Sequence, residues 1–112
     1  MKYYVRLNDE VAEVEGSKFK EDNRLFYVNL RKNNLSVNDA NYLLVDIRTG
    51  LYVFSAKSKK TLFEIYQQQK EKYDNYFQYE ELMIKYEKEL KELIEKGKLD
   101  KDVNYDIYDI DD

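Results

Sequence analysis

Tyr42-Leu43-Leu44-Val45-Asp46-Ile47-Arg48-Thr49-Gly50-Leu51-Tyr52-Val53-Phe54 is the stretch on which the fold turns. Leu43, Val45 and Ile47 occupy alternate positions and give an extended segment one apolar face. Thr49-Gly50 supplies a turn, and Leu51 to Phe54 returns as a second strand. Toward the N-terminus the same alternation recurs. Leu25 to Leu30 places Phe26, Val28 and Leu30 against Leu25, Tyr27 and Asn29, a strand with apolar groups on both faces that Asn33-Asn34 stops. Tyr3, Val5 and Leu7 alternate with Tyr4 and Arg6. Asn8-Asp9 then offers a hairpin turn before Val11, Ala12 and Val14, and Gly16-Ser17 reads as the end of that strand.

Toward the C-terminus the period changes from two to nearly four. Ser58 is placed to cap a helix start between Ser55 and Thr61. Leu62, Tyr66, Tyr73 and Phe77 share one helical face, and Tyr79, Met83, Tyr86, Leu90 and Leu93 share another. The two stripes do not join in phase, so the spacing predicts two helices with a break near Asp74 to Gln78. Glu81/Lys85, Glu87/Lys91 and Glu92/Lys96 lace the second helix at i,i+4, and Gly97 suits its C-terminus. The predicted class is α+β: an antiparallel sheet of four or five strands in the N-terminal half, two helices in the C-terminal half, and an acidic tail. A single domain over residues 1–99 and a tail over 100–112 are the expected organisation.

Composition narrows the chemistry. The chain has 112 residues, enough for one small domain, and it lacks Cys, His, Trp and Pro. Soft metal ligands and the Cys or His nucleophiles and bases of most enzymes are therefore missing. Carboxylate pairs such as Glu13 with Glu15, Glu80 with Glu81 and Asp109 with Asp111 would need a substrate cleft to act, and the serines have no His beside them. A non-enzymatic chain without cofactor is the expectation. Twelve Tyr and five Phe supply a large aromatic core, and each buried Tyr hydroxyl demands a polar partner. With no signal-peptide-like N-terminus and no apolar run of membrane-spanning length, a cytoplasmic protein without membrane contact is expected.

Charge is unevenly distributed. The net value is −4, yet residues 100–112 carry six acidic side chains against Lys101, so the body of the chain is close to neutral. Asp100, Asp102, Asn104 and Asp106 match the first four ligand positions of a calcium loop. Tyr105 then stands where the sharp turn needs Gly, and Asp111 where a longer bidentate Glu is usual, so no metal site is expected. Val103, Tyr105, Ile107, Tyr108 and Ile110 are more apolar than a merely solvating tail requires. Such a segment can dock on a partner, laying rings in pockets and carboxylates against Arg and Lys. The expected partner-binding residues are accordingly Tyr105, Asp106, Tyr108, Asp109, Asp111 and Asp112, with Glu80 and Glu81 as a second patch.

The opposite signal runs from Arg24 to Lys60, where Tyr27, Tyr42, Tyr52 and Phe54 interleave with Arg31, Arg48, Lys57, Lys59 and Lys60. Rings beside cations are the pattern of single-strand binders, and a nucleic-acid-binding or regulatory module is the alternative reading. A pI of about 5.0 and a tail able to shield this patch argue against direct nucleic-acid binding. A structural oligomer, with a homodimer seam through Met83, Tyr86 and Leu90, is a further alternative.

One resemblance bears on function. Asp46-Ile47-Arg48-Thr49-Gly50-Leu51-Tyr52-Val53, followed by Ser58-Lys59-Lys60-Thr61-Leu62, resembles the strand, Thr-Gly turn, strand and Ser/Thr-Lys-Lys helix start of small accessory proteins from phages and mobile elements of low-GC bacteria. In size and acidic character the chain also resembles the anti-defence proteins of such elements, anti-CRISPR inhibitors included. The resemblance implies a class of action and no particular residue: an inhibitor occupying a basic nucleic-acid-binding surface on a host protein such as a CRISPR effector.

Overall fold

A computed structural model describes residues 1–7, 10–76 and 80–96, the side chains of 76 and 80–82 excepted. Five strands form one antiparallel meander in chain order: β1 (Lys2–Leu7), β2 (Glu10–Lys18), β3 (Leu25–Asn29), β4 (Tyr42–Asp46) and β5 (Tyr52–Ala56). A short 3-10 turn at Arg31–Asn33 follows β3, and two helices complete the order, α1 (Lys59–Tyr76) and α2 (Glu80–Glu95). The α+β class and the division into a strand half and a helix half are as the sequence predicts. The break predicted near Asp74 to Gln78 does not come before Tyr76, where α1 is still helical, and residues 77–79, between the two helices, lie outside the described residues.

The sheet curls until its ends meet. The Arg6 amide donates to the Gly50 carbonyl at 2.6 Å, and Arg6 pairs with Leu51 in a parallel bridge, which brings the end of β1 to the start of β5. Alternation therefore sorts side chains into an inside and an outside. Tyr3, Val5, Val14, Phe26, Val28, Leu43, Val45 and Ile47 fill the interior of the curl. Leu25, Tyr27 and Leu44 face outward beneath α1, packing with Ala56, Leu62, Tyr66 and Tyr73. Strands β3 and β4 are apolar on both faces because both faces are covered. On the other flank α2 sets Leu90 and Ile94 against the outward-facing Tyr4 and Val11.

Gly16 does not end its strand, as the sequence suggested. β2 continues to Lys18, pairing with β1 through Glu15 and with β3 from Gly16 onward. At this change of partner the Tyr3 and Phe26 rings stack in parallel, with centroids 4.2 Å apart. A Cβ on Gly16 would lie 2.8 Å from Phe26 Cδ2 and 3.1 Å from Tyr3 Cδ2. Glycine is present for close approach, and the chain stays extended. Gly50 acts as a turn residue, with φ +77°.

Two buried carboxylates register α1 on the sheet. Asp46 closes its own turn by accepting the amides of Arg48 at 2.9 Å and Thr49 at 3.2 Å, and it also accepts the Tyr73 hydroxyl at 3.0 Å. Asp22 receives Arg24 through Nε at 2.8 Å and Nη2 at 2.6 Å, and the Tyr66 hydroxyl at 2.9 Å. The partners that the buried Tyr66 and Tyr73 hydroxyls demand are thus supplied by carboxylates outside their own helix. Between these anchors Gln69 leaves helical geometry (φ −124°, ψ 17°), a kink that the apolar stripe alone does not reveal. Phe19, which interrupts a polar stretch of sequence, is buried edge-on against Phe63 and Tyr66.

Candidate functional site

Six of the expected partner-binding residues, Tyr105, Asp106, Tyr108, Asp109, Asp111 and Asp112, lie outside the described residues. Glu80 and Glu81 open α2, and their side chains lie outside the described residues. The calcium-loop pattern falls outside as well, and among the described residues no group of three or more acidic side chains is placed to hold a metal ion. Of the expected dimer seam, Met83 is buried, Leu90 is buried against Tyr4 of the sheet, and Tyr86 lies beneath the Arg6 guanidinium.

The acidic side of the molecule centres on Arg6. Its guanidinium reaches Glu89 Oε2 at 3.3 Å, the Tyr86 carbonyl at 3.4 Å and the Thr49 carbonyl at 3.5 Å. It also lies 4.8 Å from the centre of the Tyr86 ring. Beside it, between the β1–β2 hairpin and α2, opens a cavity of about 530 Å³. Val11 and Leu93 give this cavity apolar walls, while Glu10, Glu89 and Glu92 outnumber Arg6 and Lys96 around it. Carboxylates beside an apolar wall suit the aliphatic stem and charged head of a basic side chain. Glu10, Glu89 and Glu92 were not singled out in the sequence, because the hairpin and the helix that bring them together are far apart along the chain.

The basic side divides. Arg48 lies beyond the far end of β4, close enough to Asp46 for its charge to favour that carboxylate, and Tyr52 is exposed on β5. Tyr27, Tyr42 and Lys59 come together, joined by Lys32, Ser17 and Asn29, which sequence reasoning passed over. These six, with Met1, Glu15 and Gly16, line a groove of about 400 Å³. It exists because α1 begins at Lys59 and covers only part of the outer face of β3 and β4. Register supplies the missing signal: Asn29 is opposite Tyr42 across the β3–β4 pair, and Asn29 Nδ2 donates to the Tyr42 hydroxyl at 3.3 Å.

The electrostatics of the groove are cationic. Lys59 Nζ stands 4.7 Å from the centre of the Tyr27 ring. The Tyr27 phenol is held below its ordinary range, first by its hydrogen bond with Lys59, against the effect of burial, and then by Ser17 and the charges of Lys59 and Lys20. Among the described residues Lys32 and Lys59 form no ion pair, and Glu15 lies 3.2 Å from the Met1 ammonium. Ser58 fixes the start of α1, its hydroxyl oxygen accepting the Thr61 amide at 3.1 Å as the sequence leads one to expect. The groove is thus walled by two strands and a capped helix start.

Among the described residues no helix is long and apolar enough to cross a membrane. Comparison with protein-family models, with curated proteins and with solved structures finds no match.

Proposed function

We propose that this chain is a non-enzymatic binding protein that occupies a basic, nucleic-acid-binding surface on a partner protein. The reading belongs with the resemblance to phage and mobile-element inhibitors of low-GC bacteria, anti-CRISPR proteins among them, and a CRISPR effector is a partner of the right kind. One observation carries it: the segregation of charge along the chain. Residues 80–112 hold twelve acidic side chains against six basic ones, whereas residues 1–79 hold eleven against thirteen. A surface of that sign steers toward a cationic cleft and competes with phosphates for the same Arg and Lys groups. Glu89 and Glu92 continue the acidic character onto the α2 cavity, where Val11 and Leu93 add apolar contact.

Charge and rings have separate duties in this mechanism. Asp106, Asp109, Asp111 and Asp112 raise the rate of encounter, and Tyr105 and Tyr108 slow release by filling pockets. The test begins with capture of a binding partner from a low-GC bacterial lysate and its identification by mass spectrometry. Competition is then measured between this chain and nucleic acid for the purified partner. Displacement is expected, with slower association after Asp→Asn substitution of the four aspartates and faster dissociation of the Tyr105→Ala/Tyr108→Ala double variant. A partner that binds this chain and its nucleic acid at once would overturn the proposal, as would a folded chain lacking 100–112 that binds undiminished.

A further inference from the structure

The sequence sets direct contact with nucleic acid aside on grounds of overall charge, but the groove beside the start of α1 has the opposite local character. We propose that the groove bounded by Tyr27, Tyr42, Lys32 and Lys59 binds a nucleotide unit, its base against the tyrosine rings and its phosphate between the two ammonium groups. A nucleotide combines a planar ring, hydrogen-bonding edges and an anion, and each has a counterpart here. Tyr27 and Tyr42 are half-buried, so their rings are held by packing while part of each remains open to a ligand. Ser17 adds a hydroxyl, and Asn29, whose Nδ2 already donates to the Tyr42 hydroxyl, keeps its second Nδ2 hydrogen for a base or sugar edge. Lys32 and Lys59 are exposed ammonium groups without an ion-pair partner among the described residues, so binding an anion breaks no existing pair.

The volume, about 400 Å³, falls within the roughly 300–1,000 Å³ range of small-molecule pockets. The lowered Tyr27 phenol traces to the same Lys59, through its hydrogen bond with that ammonium and the ammonium's charge. Rigidity comes from the scaffold: the Ser58 cap, with Tyr66 on Asp22 and Tyr73 on Asp46, holds α1 and therefore Lys59 in place. A bare anion site would need the lysines alone. The aromatic walls select a ligand with a ring. A free nucleotide and one unit of a single strand present the same chemistry to the groove. This site shares no residue with the partner-blocking surface, which uses residues 80–112 and the cavity beside Arg6, so either can fail without the other.

Calorimetry on the full chain with adenosine monophosphate, adenosine, inorganic phosphate and a short oligothymidine separates the contributions. Adenosine monophosphate should bind, with adenosine and phosphate each weaker by about tenfold or more. Lys32→Ala and Lys59→Gln should each weaken the nucleotide several-fold and leave adenosine unchanged, whereas Tyr42→Ala should weaken both. Raising salt should weaken only the ligands that carry phosphate. Oligothymidine binding at least about tenfold tighter than the mononucleotide assigns the site to single strands, and comparable binding assigns it to free nucleotides. Circular dichroism confirms the fold of each variant, and amide chemical shifts at Ser17 and Asn29 locate the ligand. The proposal is overturned if neither nucleotide ligand binds at millimolar concentration, if phosphate alone binds as well as the nucleotide, or if both lysine variants bind undiminished.

Discussion

Asp22 and Asp46 are both buried carboxylates that accept a tyrosine hydroxyl from α1, yet they differ in what else surrounds them. Burial pushes the Asp46 carboxyl up, and the hydrogen bonds from Tyr73, Thr49 and Arg48 only partly offset it. Burial also pushes Asp22 up, but the side-chain and backbone hydrogen bonds of Arg24, with the Tyr66 hydroxyl, outweigh it and leave the carboxyl below its ordinary range. The same burial pushes Tyr66 up to about 12, so its hydroxyl stays a donor at neutral pH. A carboxyl lowered in the folded state contributes stability above its unfolded value that is lost as pH falls through the folded one. A raised carboxyl contributes stability at low pH that is lost as pH climbs through its folded value. Asp22→Asn should therefore cost about 1–3 kcal/mol at neutral pH, a penalty that shrinks in acid. Asp46→Asn keeps an oxygen for the two turn amides and removes the buried charge, so it should change neutral-pH stability by less than about 1 kcal/mol. Urea unfolding across the acid range checks both, and a larger neutral-pH loss for Asp46→Asn than for Asp22→Asn would contradict the assignment.

Among the elements, β2 is the one that bends between two partners. In an extended strand, Gly→Ala normally gains a few tenths to about 1 kcal/mol by restricting the unfolded chain. Here the new methyl would meet Phe26 Cδ2 at 2.8 Å and the Tyr27 carbonyl oxygen at 3.1 Å, inside a stacked ring pair with no room to retreat. Overpacking of that kind costs about 1–3 kcal/mol and should win, so Gly16→Ala is expected to lower the urea midpoint. An unchanged or raised midpoint would show that the rings slide apart freely. The same residue marks where the sequence is legible and where it is not. Period-two alternation in Phe26, Val28, Leu43 and Val45, and the stripes through Leu62 and Leu90, are local signals, and they yield the strands and helices. Gly16 reads as a stop because glycine commonly punctuates turns, and only the rings that cross above it reveal its role. The groove depends on Asn29 standing opposite Tyr42, a register that composition and spacing leave open. The cavity beside Arg6 joins a hairpin to a helix more than seventy positions away, which no local pattern encodes.

At the scale of the whole molecule, Arg6 connects three parts: the strand that carries it, the Thr49-Gly50 turn and α2. Its side chain is 13% exposed, and its polar contacts of 3.3 to 3.5 Å are individually long. Together with the Tyr86 ring they should contribute about 1–3 kcal/mol. Arg6→Ala is expected to loosen α2 before the sheet, because the Arg6 amide bond to Gly50 is made by backbone and survives the substitution. Hydrogen exchange should then accelerate most over Met83 to Glu95, and an even loss of protection across β1 to β5 would contradict this. Arg6→Lys should restore little, since an ammonium cannot serve Glu89 and two carbonyls from one planar fork. The bond between Arg6 and Gly50 has a kinetic consequence of its own. A meander of five strands is odd in number, so its first and last strands run the same way and no hairpin can join them. Each neighbouring pair can zip from its own connection, but this seam joins residues 44 apart and must await the pairs between them. It forms last, and the Arg6 side chain reaches the Thr49 carbonyl and α2 only once that seam is closed, so the Arg6→Ala defect belongs to the unfolding rate and leaves the folding rate nearly untouched.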